Sequence, residues 1–200
     1  MNFLAHVFLA RQSDDAMLGS LLGDFCKPHQ AGDFNLETAR EIHIHRKVDA
    51  FTDSHPLVLE AKSLFGVQTR RFSGIALDVF YDHVLARAWD TYSDQPFDAF
   101  VADFYRMLIE RRGTLPERLE IAARYMTDQD WLGSYREFTG VQIALERMSR
   151  RLSKHGDRLV ACVADLEENY ATLRAGFHDF FPQLQSFAAD ERARHVSAGS

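Results

Sequence analysis

The sequence contains few of the residues that build cross-linked or zinc-bound proteins. Only two of its 200 residues are cysteines, Cys26 and Cys162, which lie far apart and form no C-x-x-C pair. We therefore expect neither a disulfide framework nor a zinc knuckle, and two unpaired cysteines fit a reducing compartment. The sequence predicts a cytoplasmic protein.

Positive charge is also in short supply. The chain has 23 lysines and arginines against 29 aspartates and glutamates, and its formal net charge is -6. General nucleic-acid binding needs a broad basic surface that neutralises phosphates. We therefore expect no nucleic-acid partner.

No hydrophobic run is long enough to suggest a membrane segment. The first ten residues, M-N-F-L-A-H-V-F-L-A, are largely apolar, but they carry His6 and no basic leader. Such a segment is too short to span a bilayer and makes a poor signal peptide. We interpret it as a helix that enters the core, and we expect no membrane partner.

Signals for β-strands are scarce. The sequence shows no sustained alternation of apolar and polar residues and no Asn-Gly or Asp-Gly pair, whereas apolar residues recur every three or four positions. This pattern predicts an all-α fold, with one helical domain over residues 1–192 and a loose tail over residues 193–200. The predicted helices cover approximately residues 2–10, 14–25, 36–53, 56–65, 73–92, 96–112, 116–126, 128–133, 138–154, 157–181 and 182–194.

The most informative segment is D-V-F-Y-D-H, in which Asp78 and Asp82 lie one helical turn apart in an apolar run. Both share a stripe with Ile75 and Leu85, and the opposite side is apolar too, so this helix has no obvious solvent face. Two buried carboxylates that face the same way repel each other and need a cation or strong hydrogen-bond donors. A divalent metal would supply the missing charge.

A second dense segment, H-I-H-R-K-V-D-A-F-T-D, begins at His43. In a helix, His43, Arg46 and Asp53 share one face. At the edge of this face, His45 and Asp49 can bind a metal together, or the carboxylate can orient the imidazole. The alternative is an amphipathic surface helix whose outer face is simply charged.

Two further polar residues interrupt apolar patterns near the start of the chain. His6 is alone among apolar residues, where a histidine is either a hydrogen-bonded core residue or a ligand. Asp24 occupies a hydrophobic helix position and therefore needs a compensating partner. Gly19 and Gly23 lie close to Asp24 and could let a substrate or a neighbouring backbone approach, although a helix end also explains Gly23.

These candidates share one chemistry. Nitrogen and oxygen donors without cysteine suit Mn²⁺, Mg²⁺ or Fe²⁺ better than structural zinc. A bound metal could polarise a phosphoryl oxygen and lower the pKa of a water molecule, while Arg46 could stabilise negative charge on the phosphate. No Ser-His-Asp order, P-loop or G-x-G-x-x-G motif is present. The sequence therefore predicts metal-dependent hydrolysis of a phosphate ester.

With these residues in view, the chain resembles the acyl carrier protein phosphodiesterase family. The matching pieces are M-N-F-L-A-H, G-S-L-L-G-D-F, H-I-H-R-K-V-D with T-D, T-R-R and L-D-V-F-Y-D-H, with a weaker match through W-L-x-x-Y-R and the closing helix. The resemblance implies a helical bundle of the HD-phosphohydrolase-like type with a manganese-type metal requirement. It also implies removal of 4'-phosphopantetheine from the serine of holo-acyl carrier protein, which leaves the apo form.

The resemblance further implies roles for individual positions. Those implied as metal ligands are Asp24, Asp78, Asp82, His6 and His43. Those implied as catalytic, because they face the phosphate or support the ligands, are Asn2, Arg46, Asp53 and His83. Within the matching pieces, the His-Asp doublet of HD enzymes occurs in reverse, as Asp82-His83, so the ligand set cannot be copied from them.

The implied protein substrate, a small acidic helical protein, would dock through cationic residues. Arg70 and Arg71 are the predicted contacts because they immediately precede the helix of the aspartate pair. Taken alone, each basic group is more simply interpreted as a solvated helix end. The other local basic groups are Arg111 and Arg112 with Arg118, and Arg150 and Arg151 with Lys154.

Two other functions stay open. An HD-type phosphohydrolase acting on a nucleotide or another small phosphoester would share the metal site but not the docking surface. A non-enzymatic helical binding module would bind no metal, and its buried polar residues would only satisfy one another. The sequence makes no prediction of oligomeric state.

Overall fold

The repeated three- and four-residue apolar spacing folds into helices throughout the computed structural model, which describes residues 1–197 except the side chains of Pro28, Val196 and Ser197. No strand occurs in this part of the chain, which confirms the all-α prediction. Two 3₁₀ turns, Pro28–Asp33 and Arg70–Phe72, accompany the α-helices. The α-helices are α1 (Phe3–Leu9), α2 (Asp14–Leu22), α3 (Leu36–Ser54), α4 (Pro56–Ser63), α5 (Ser73–Arg87), α6 (Trp89–Tyr92), α7 (Phe97–Glu110), α8 (Glu117–Asp128), α9 (Trp131–Ser134), α10 (Phe138–Ser149), α11 (Gly156–Glu168) and α12 (Tyr170–Ser197).

Local capping explains where the helices of the N-terminal half begin. The hydroxyl of Ser13 accepts the backbone N–H of Ala16 at 3.0 Å and starts α2. The side chain of Asn35 accepts the N–H of Thr38 at 2.9 Å and starts α3. Pro56 opens α4, where its missing N–H costs little.

The structure divides the chain into helices differently from the prediction in two places. The predicted helix 73–92 is divided at Ala88 into α5 and α6. The predicted break at Pro182 is absent, because this proline lies inside α12. Burial of the neighbouring Phe180 and Phe181 stabilises α12 across the hydrogen bond that proline cannot make. The break falls instead at Asn169, whose side chain donates to the carbonyl of Asp165 at 2.9 Å.

Helix α12 also extends into the segment predicted as a loose tail. Residues 193–197 are helical, and residues 198–200 lie outside the described part of the chain. The side chain of Arg194 donates to Glu191 at 2.5 Å, and the ring of His195 lies 4.9 Å from the ring of His43 on α3. These contacts are the physical reason for the correction, since they attach the end of α12 to its own preceding turn and to α3.

Helices α1 and α5 form the centre of the fold. Nearly every residue of α1 is buried, and α1 packs between α2 and α5. Helix α5 is buried almost all round, as its sequence predicted, and α10 and α11 cover another of its sides. Helix α3 packs against α2, α4 and α12. A Cβ at Gly19 would lie 2.5 Å from the carbonyl oxygen of Thr38, so this glycine lets α2 approach α3 closely.

None of the described helices combines the length and the apolar character needed to cross a bilayer.

Candidate active site

A cluster of histidine and carboxylate side chains forms where α1 meets α3. The Nε2 atom of His6 lies 3.0 Å from Oδ1 of Asp49, and Nε2 of His45 lies 3.2 Å from Oδ2 of the same carboxylate. The two imidazole rings stack with their centroids 3.9 Å apart. Asp49 thus connects a histidine from each helix.

Two more carboxylates and an amino group complete this cluster. Asp24, just beyond α2, approaches Nε2 of His45 at 3.5 Å. The amino group of Met1 lies 3.0 Å from Oδ1 of Asp78 on α5 and 3.5 Å from Oδ1 of Asp49. We call these six residues, Met1, His6, Asp24, His45, Asp49 and Asp78, the His–Asp cluster.

The cluster has a buried floor and an open rim. The imidazoles of His6 and His45 are almost completely buried. The side chains of Asp24, Asp49 and Asp78 are 46%, 40% and 38% exposed. A ligand that approaches from solvent therefore meets the carboxylates first and the ring nitrogens behind them.

Glycine makes the position of His45 possible. A Cβ at Gly23 would lie 2.2 Å from the ring of His45, far inside any normal contact distance. The sequence had left two explanations open for Gly23, and the structure supports close approach of a neighbouring group. Asp24 follows directly, so the same turn that admits the imidazole also presents the carboxylate to it.

The two stacked histidines have opposite electrostatic surroundings. Burial, followed by the positive charge of His45, lowers the pKa of His6 to about 4. Burial also opposes the charge on His45, but its hydrogen bonds with Asp24 and Asp49 outweigh this effect and raise its pKa to about 9. At neutral pH the cluster therefore contains one neutral and one protonated imidazole.

The carboxylates and the amino group are also perturbed. Burial opposes ionisation of Asp49, but hydrogen bonds from His45 and His6 outweigh it and hold its pKa well below the usual range. Burial raises the pKa of Asp78. Burial alone would lower the pKa of the Met1 amino group. The negative charges of Asp78 and Asp49 outweigh burial and raise this pKa to about 10. Three carboxylates thus face two cations, which leaves an excess of negative charge.

This donor set fits a divalent metal ion. One ligand atom from each of His6, His45 and Asp49 can be chosen so that all three lie within 4.8 Å of one another. The Nδ1 atom of His45 is buried and lacks a hydrogen-bond partner in the described part of the protein. Carboxylate oxygens and neutral imidazole nitrogens are ligands for Mn²⁺, Fe²⁺ and Zn²⁺, so His45 would release its proton when such an ion binds. The surplus negative charge at the rim would favour a cation further.

Asp82, predicted as a ligand beside Asp78, lies outside the cluster. Its carboxylate is fully buried and accepts the backbone N–H groups of Leu4 at 2.8 Å and Ala5 at 3.0 Å. Burial raises the pKa of Asp82 to about 7, although these two hydrogen bonds oppose the shift. This placement replaces the expected metal contact with a helix cap: Asp82 fixes the start of α1 and with it the position of His6.

His43, the other predicted ligand that does not join the cluster, is on the outer side of α3. It is exposed, and its ring faces His195. At 100° per residue, His43 lies about 160° from His45 around a helix, so the two cannot face the same site. The face of α3 that meets α1 carries His45 and Asp49 instead.

Asn2 and His83, both predicted as catalytic, converge on a different residue. The side-chain amide of Asn2 donates to the hydroxyl of Tyr135 at 2.6 Å. His83 is buried, with Nδ1 2.7 Å from the carbonyl oxygen of Tyr135 and Nε2 2.8 Å from the hydroxyl of Tyr170. The two side chains therefore hold the segment around Tyr135 rather than facing the cluster.

Arg46 and Asp53 flank the cluster on α3. Arg46 donates to the carbonyl oxygen of Cys26 at 2.8 Å, two residues beyond Asp24. Asp53 is exposed and pairs with Lys62 at 2.8 Å. Among the described residues, neither side chain makes a hydrogen bond or an ion pair with His6 or His45.

Arg70 and Arg71, the predicted docking pair, differ in how far their guanidinium groups are already engaged. The guanidinium of Arg70 donates to the carbonyl oxygens of Ser63 and Phe65 at 3.1 Å each and so closes the end of α4. Arg71 is exposed and makes no ion pair with any described residue.

The sequence signal for His45 and Asp49 was their four-residue spacing, which placed them one turn apart. No local pattern indicated that His6 would meet them, because that contact joins residues 43 positions apart. The amino group of Met1 had no sequence signal either.

Comparison with known proteins gives the family of this chain. The sequence model described as acyl carrier protein phosphodiesterase matches residues 1–184. No solved structure matches the chain significantly.

Several relatives carry the same description over their full length. The acyl carrier protein phosphodiesterase of Yersinia enterocolitica serotype O:8 is 34% identical over 193 residues, which cover 96% of this chain and all of the relative. That of Klebsiella pneumoniae subsp. pneumoniae is 35% identical with the same coverage. That of Escherichia coli O157:H7 is 34% identical over 94% of this chain and 98% of the relative. The chain belongs to the acyl carrier protein phosphodiesterase family, whose members are hydrolases.

Proposed function

We propose that this protein hydrolyses the phosphodiester that joins 4'-phosphopantetheine to the serine of holo-acyl carrier protein. The products are apo-acyl carrier protein and free 4'-phosphopantetheine. Water adds to phosphorus, the bond between phosphorus and the serine oxygen breaks, and that oxygen leaves with a proton. Membership of the family supports the substrate, and the open His–Asp cluster supports the hydrolytic chemistry.

The observation that carries the proposal is the shared carboxylate of Asp49. It joins a histidine of α1 to a histidine of α3 at the bottom of an acidic rim. A merely structural cluster would be expected to balance its charges and satisfy its polar atoms. This cluster does neither, because its carboxylates outnumber its cations and His45 Nδ1 has no partner among the described residues.

We also propose that His6, His45 and Asp49 hold a divalent cation, with Asp24 and Asp78 beside it. When bound, such a cation polarises a phosphoryl oxygen and lowers the pKa of a water molecule. Mixed nitrogen and carboxylate donors without cysteine favour Mn²⁺, with Mg²⁺ and Fe²⁺ as alternatives.

The protein's own side chains supply positioning and proton transfer. Asp49 contacts both imidazoles and fixes their orientation. Asp24 and Asp78 reach solvent at the rim, where a carboxylate can accept a proton from the attacking water. Arg46 follows His45 directly on α3 and is the group that would face negative charge on the phosphate, and Asp53 lies one turn beyond Asp49.

The remaining proposals concern fold type and location. Histidine and aspartate side chains that converge from several helices support an HD-phosphohydrolase-like architecture. The two free cysteines, one of them buried, fit a reducing compartment, and we propose that the protein acts in the cytoplasm.

Intact-mass measurement of holo-acyl carrier protein tests the function. Incubation with this protein and Mn²⁺ should remove the mass of the phosphopantetheine group, and a chelator should prevent the loss. Readdition of Mn²⁺ to the chelated enzyme should restore it. The released product should be 4'-phosphopantetheine rather than pantetheine, because the serine ester bond is the one that breaks.

An unchanged substrate mass in the presence of folded, metal-loaded protein would rule out this substrate. Cleavage of bis(p-nitrophenyl) phosphate by the same sample would then favour the small-phosphoester hydrolase. Full activity after complete removal of metal, verified by elemental analysis, would contradict the proposed metal requirement. The assignment of holo-acyl carrier protein as the substrate would still stand.

A further inference from the structure

The C-terminal end of α10 carries three arginines that have no anionic partner among the described residues. Arg147 lies in the last turn, and Arg150 and Arg151 follow it on the surface. None of the three has a carboxylate within 4.0 Å in the described part of the chain, and many other cationic side chains of the protein do. We call Arg147, Arg150 and Arg151 the α10 edge.

The helix terminus alone does not account for this arrangement. A cation in a last helical turn interacts favourably with the helix dipole, which explains one arginine there. Burial, together with the charges of Arg151 and Arg150, lowers the pKa of Arg147. The three cations therefore lie near enough to repel one another, so their grouping is unfavourable unless an anion joins them.

An aromatic surface lies directly beneath the α10 edge. The guanidinium of Arg147 lies 4.2 Å above the ring of Trp131. Phe3, Trp131, Arg147 and Arg151 line a cleft together with Tyr135. Its volume is about 40 Å³, little more than one water molecule needs. A cleft of this size receives a protruding group of a partner surface, not a whole small molecule.

The first three residues connect this surface to the His–Asp cluster. The ring of Phe3 lies between Trp131, with centroids 6.3 Å apart, and Phe25, with centroids 6.4 Å apart. Phe25 directly follows Asp24 of the cluster. Asn2 donates to Tyr135 in the floor of the cleft, and the amino group of Met1 contacts Asp78. The α10 edge is therefore separated from the catalytic carboxylates by a short aromatic path.

We propose that the α10 edge is the docking surface for the acidic carrier protein whose phosphopantetheine enters the His–Asp cluster. This inference rests on the proposed function. The protein carries a net charge of -6, so two acidic partners repel at long range and need a local cationic contact. Arginines that form no ion pair within the described chain keep their charge available for such a contact.

The alternative surface at Arg70 and Arg71 is less available. The guanidinium of Arg70 already binds two backbone carbonyls. The neighbouring cation on α4, Lys62, is paired with Asp53. Only Arg71 remains unpaired there among the described residues.

Matched charge reversals distinguish the two surfaces. The test variant is Arg150→Glu with Arg151→Glu. The controls are Arg70→Glu with Arg71→Glu, and Arg112→Glu with Arg118→Glu on exposed positions at α7 and α8. All three double variants change the net charge by the same amount, so a difference in KM between equally folded samples reports location. Circular dichroism checks the fold of each sample, because Arg70 also holds the end of α4.

We expect the α10 variant to raise KM for holo-acyl carrier protein about tenfold or more, because reversed charges replace attraction by repulsion. Its kcat at saturation and its turnover of bis(p-nitrophenyl) phosphate should match those of the unmodified protein. Both control variants should stay within about twofold in KM. Added salt should raise KM of the unmodified protein and have little effect on the α10 variant.

Three results would overturn the docking proposal. The first is an unchanged KM for the α10 variant. The second is a larger effect of Arg70→Glu with Arg71→Glu. The third is an equal loss of small-diester turnover, which would place the arginines in the chemistry instead of the docking.

A binding measurement separates this proposal from the proposed function. Fluorescence anisotropy of labelled apo-acyl carrier protein should report binding that the α10 variant loses and both controls retain. If the unmodified protein binds through the α10 edge but cleaves nothing, the hydrolytic function fails and the docking surface stands. If no binding occurs even at low salt, the docking surface is refuted.

Discussion

Two of the carboxylates on helix α3, Glu41 and Asp49, lie about two helical turns apart and have very different surroundings. Glu41 is 1% exposed and receives two hydrogen bonds from Arg192 of α12, at 2.8 and 2.9 Å. Gln12 and Arg40 also donate to it. Asp49 is 40% exposed and shares its oxygens among His6, His45 and the amino group of Met1.

The difference separates a structural ion pair from a reactive site. Around Glu41, cations match or exceed the carboxylate, and each carboxylate oxygen has a strong donor. Around Asp49, carboxylates exceed cations and a ring nitrogen of His45 is unsatisfied within the described chain. Burial of a charge therefore indicates function here only when its partners leave the local charge unbalanced.

Replacement of Asp49 should have the largest effect. Asp49→Ala removes the group that joins His6 to His45, so we expect kcat for holo-acyl carrier protein to fall by about 10³-fold or more. The free energy of unfolding should fall by about 1 to 2 kcal/mol, because the buried imidazoles of His6 and His45 lose their shared acceptor. This loss is smaller than that expected at Glu41, because the surplus of negative charge also falls. Steady-state kinetics and urea titration of the same sample measure both. A variant within tenfold of full activity would contradict a catalytic role for the cluster.

Replacement of Glu41 should give the opposite result. Glu41→Gln leaves Arg192 without its carboxylate, and we expect the free energy of unfolding to fall by about 3 kcal/mol. This loss is near the low end for a broken buried ion pair, because Arg192 is partly exposed to solvent. Activity per folded molecule, and stabilisation by Mn²⁺, should persist. Loss of metal binding without loss of stability would remove the distinction between the two sites.

The sequence predicted several residues of the His–Asp cluster but not the ion pair at Glu41. It placed Asp24, Asp78 and His6 among the candidates because each interrupts an apolar pattern, and the structure brings all three to one cluster. Such an interruption is visible locally. The pairing of Glu41 with Arg192 has no local signal, because 151 residues separate them.

The partner that each side chain of a helix meets was harder to predict than the helix itself. Asp78 and Asp82 lie on one stripe of α5, but their partners depend on which helix covers each turn. Asp78 meets the amino group of Met1, whereas Asp82 meets the N–H groups that begin α1. A projection of α5 alone does not contain α1, so it could not separate these two roles.

Replacement of Asp82 extends the comparison of Glu41 with Asp49 to a buried carboxylate whose hydrogen-bond donors are backbone N–H groups. Asp82→Ala leaves the N–H groups of Leu4 and Ala5 buried without an acceptor, and we expect a loss of about 2 kcal/mol in the free energy of unfolding. Because the carboxylate does not face the cluster, the variant should still bind Mn²⁺ when folded at low temperature, as measured by isothermal titration calorimetry. Asp82→Asn, which keeps one acceptor oxygen, should lose less stability. Abolished metal binding in a folded Asp82→Asn variant would restore Asp82 as a ligand.

Replacement of His43 should have the smallest effect, and it tests which face of α3 is turned toward the site. It is two residues from His45 in sequence, yet it is exposed and faces His195. We expect His43→Ala to change the free energy of unfolding by less than about 0.5 kcal/mol and kcat by less than about twofold. His45→Ala in the same assay should abolish Mn²⁺-dependent activity. Similar losses in both variants would mean that α3 presents a different face to the substrate, and the separation of Glu41 from Asp49 would then need another explanation.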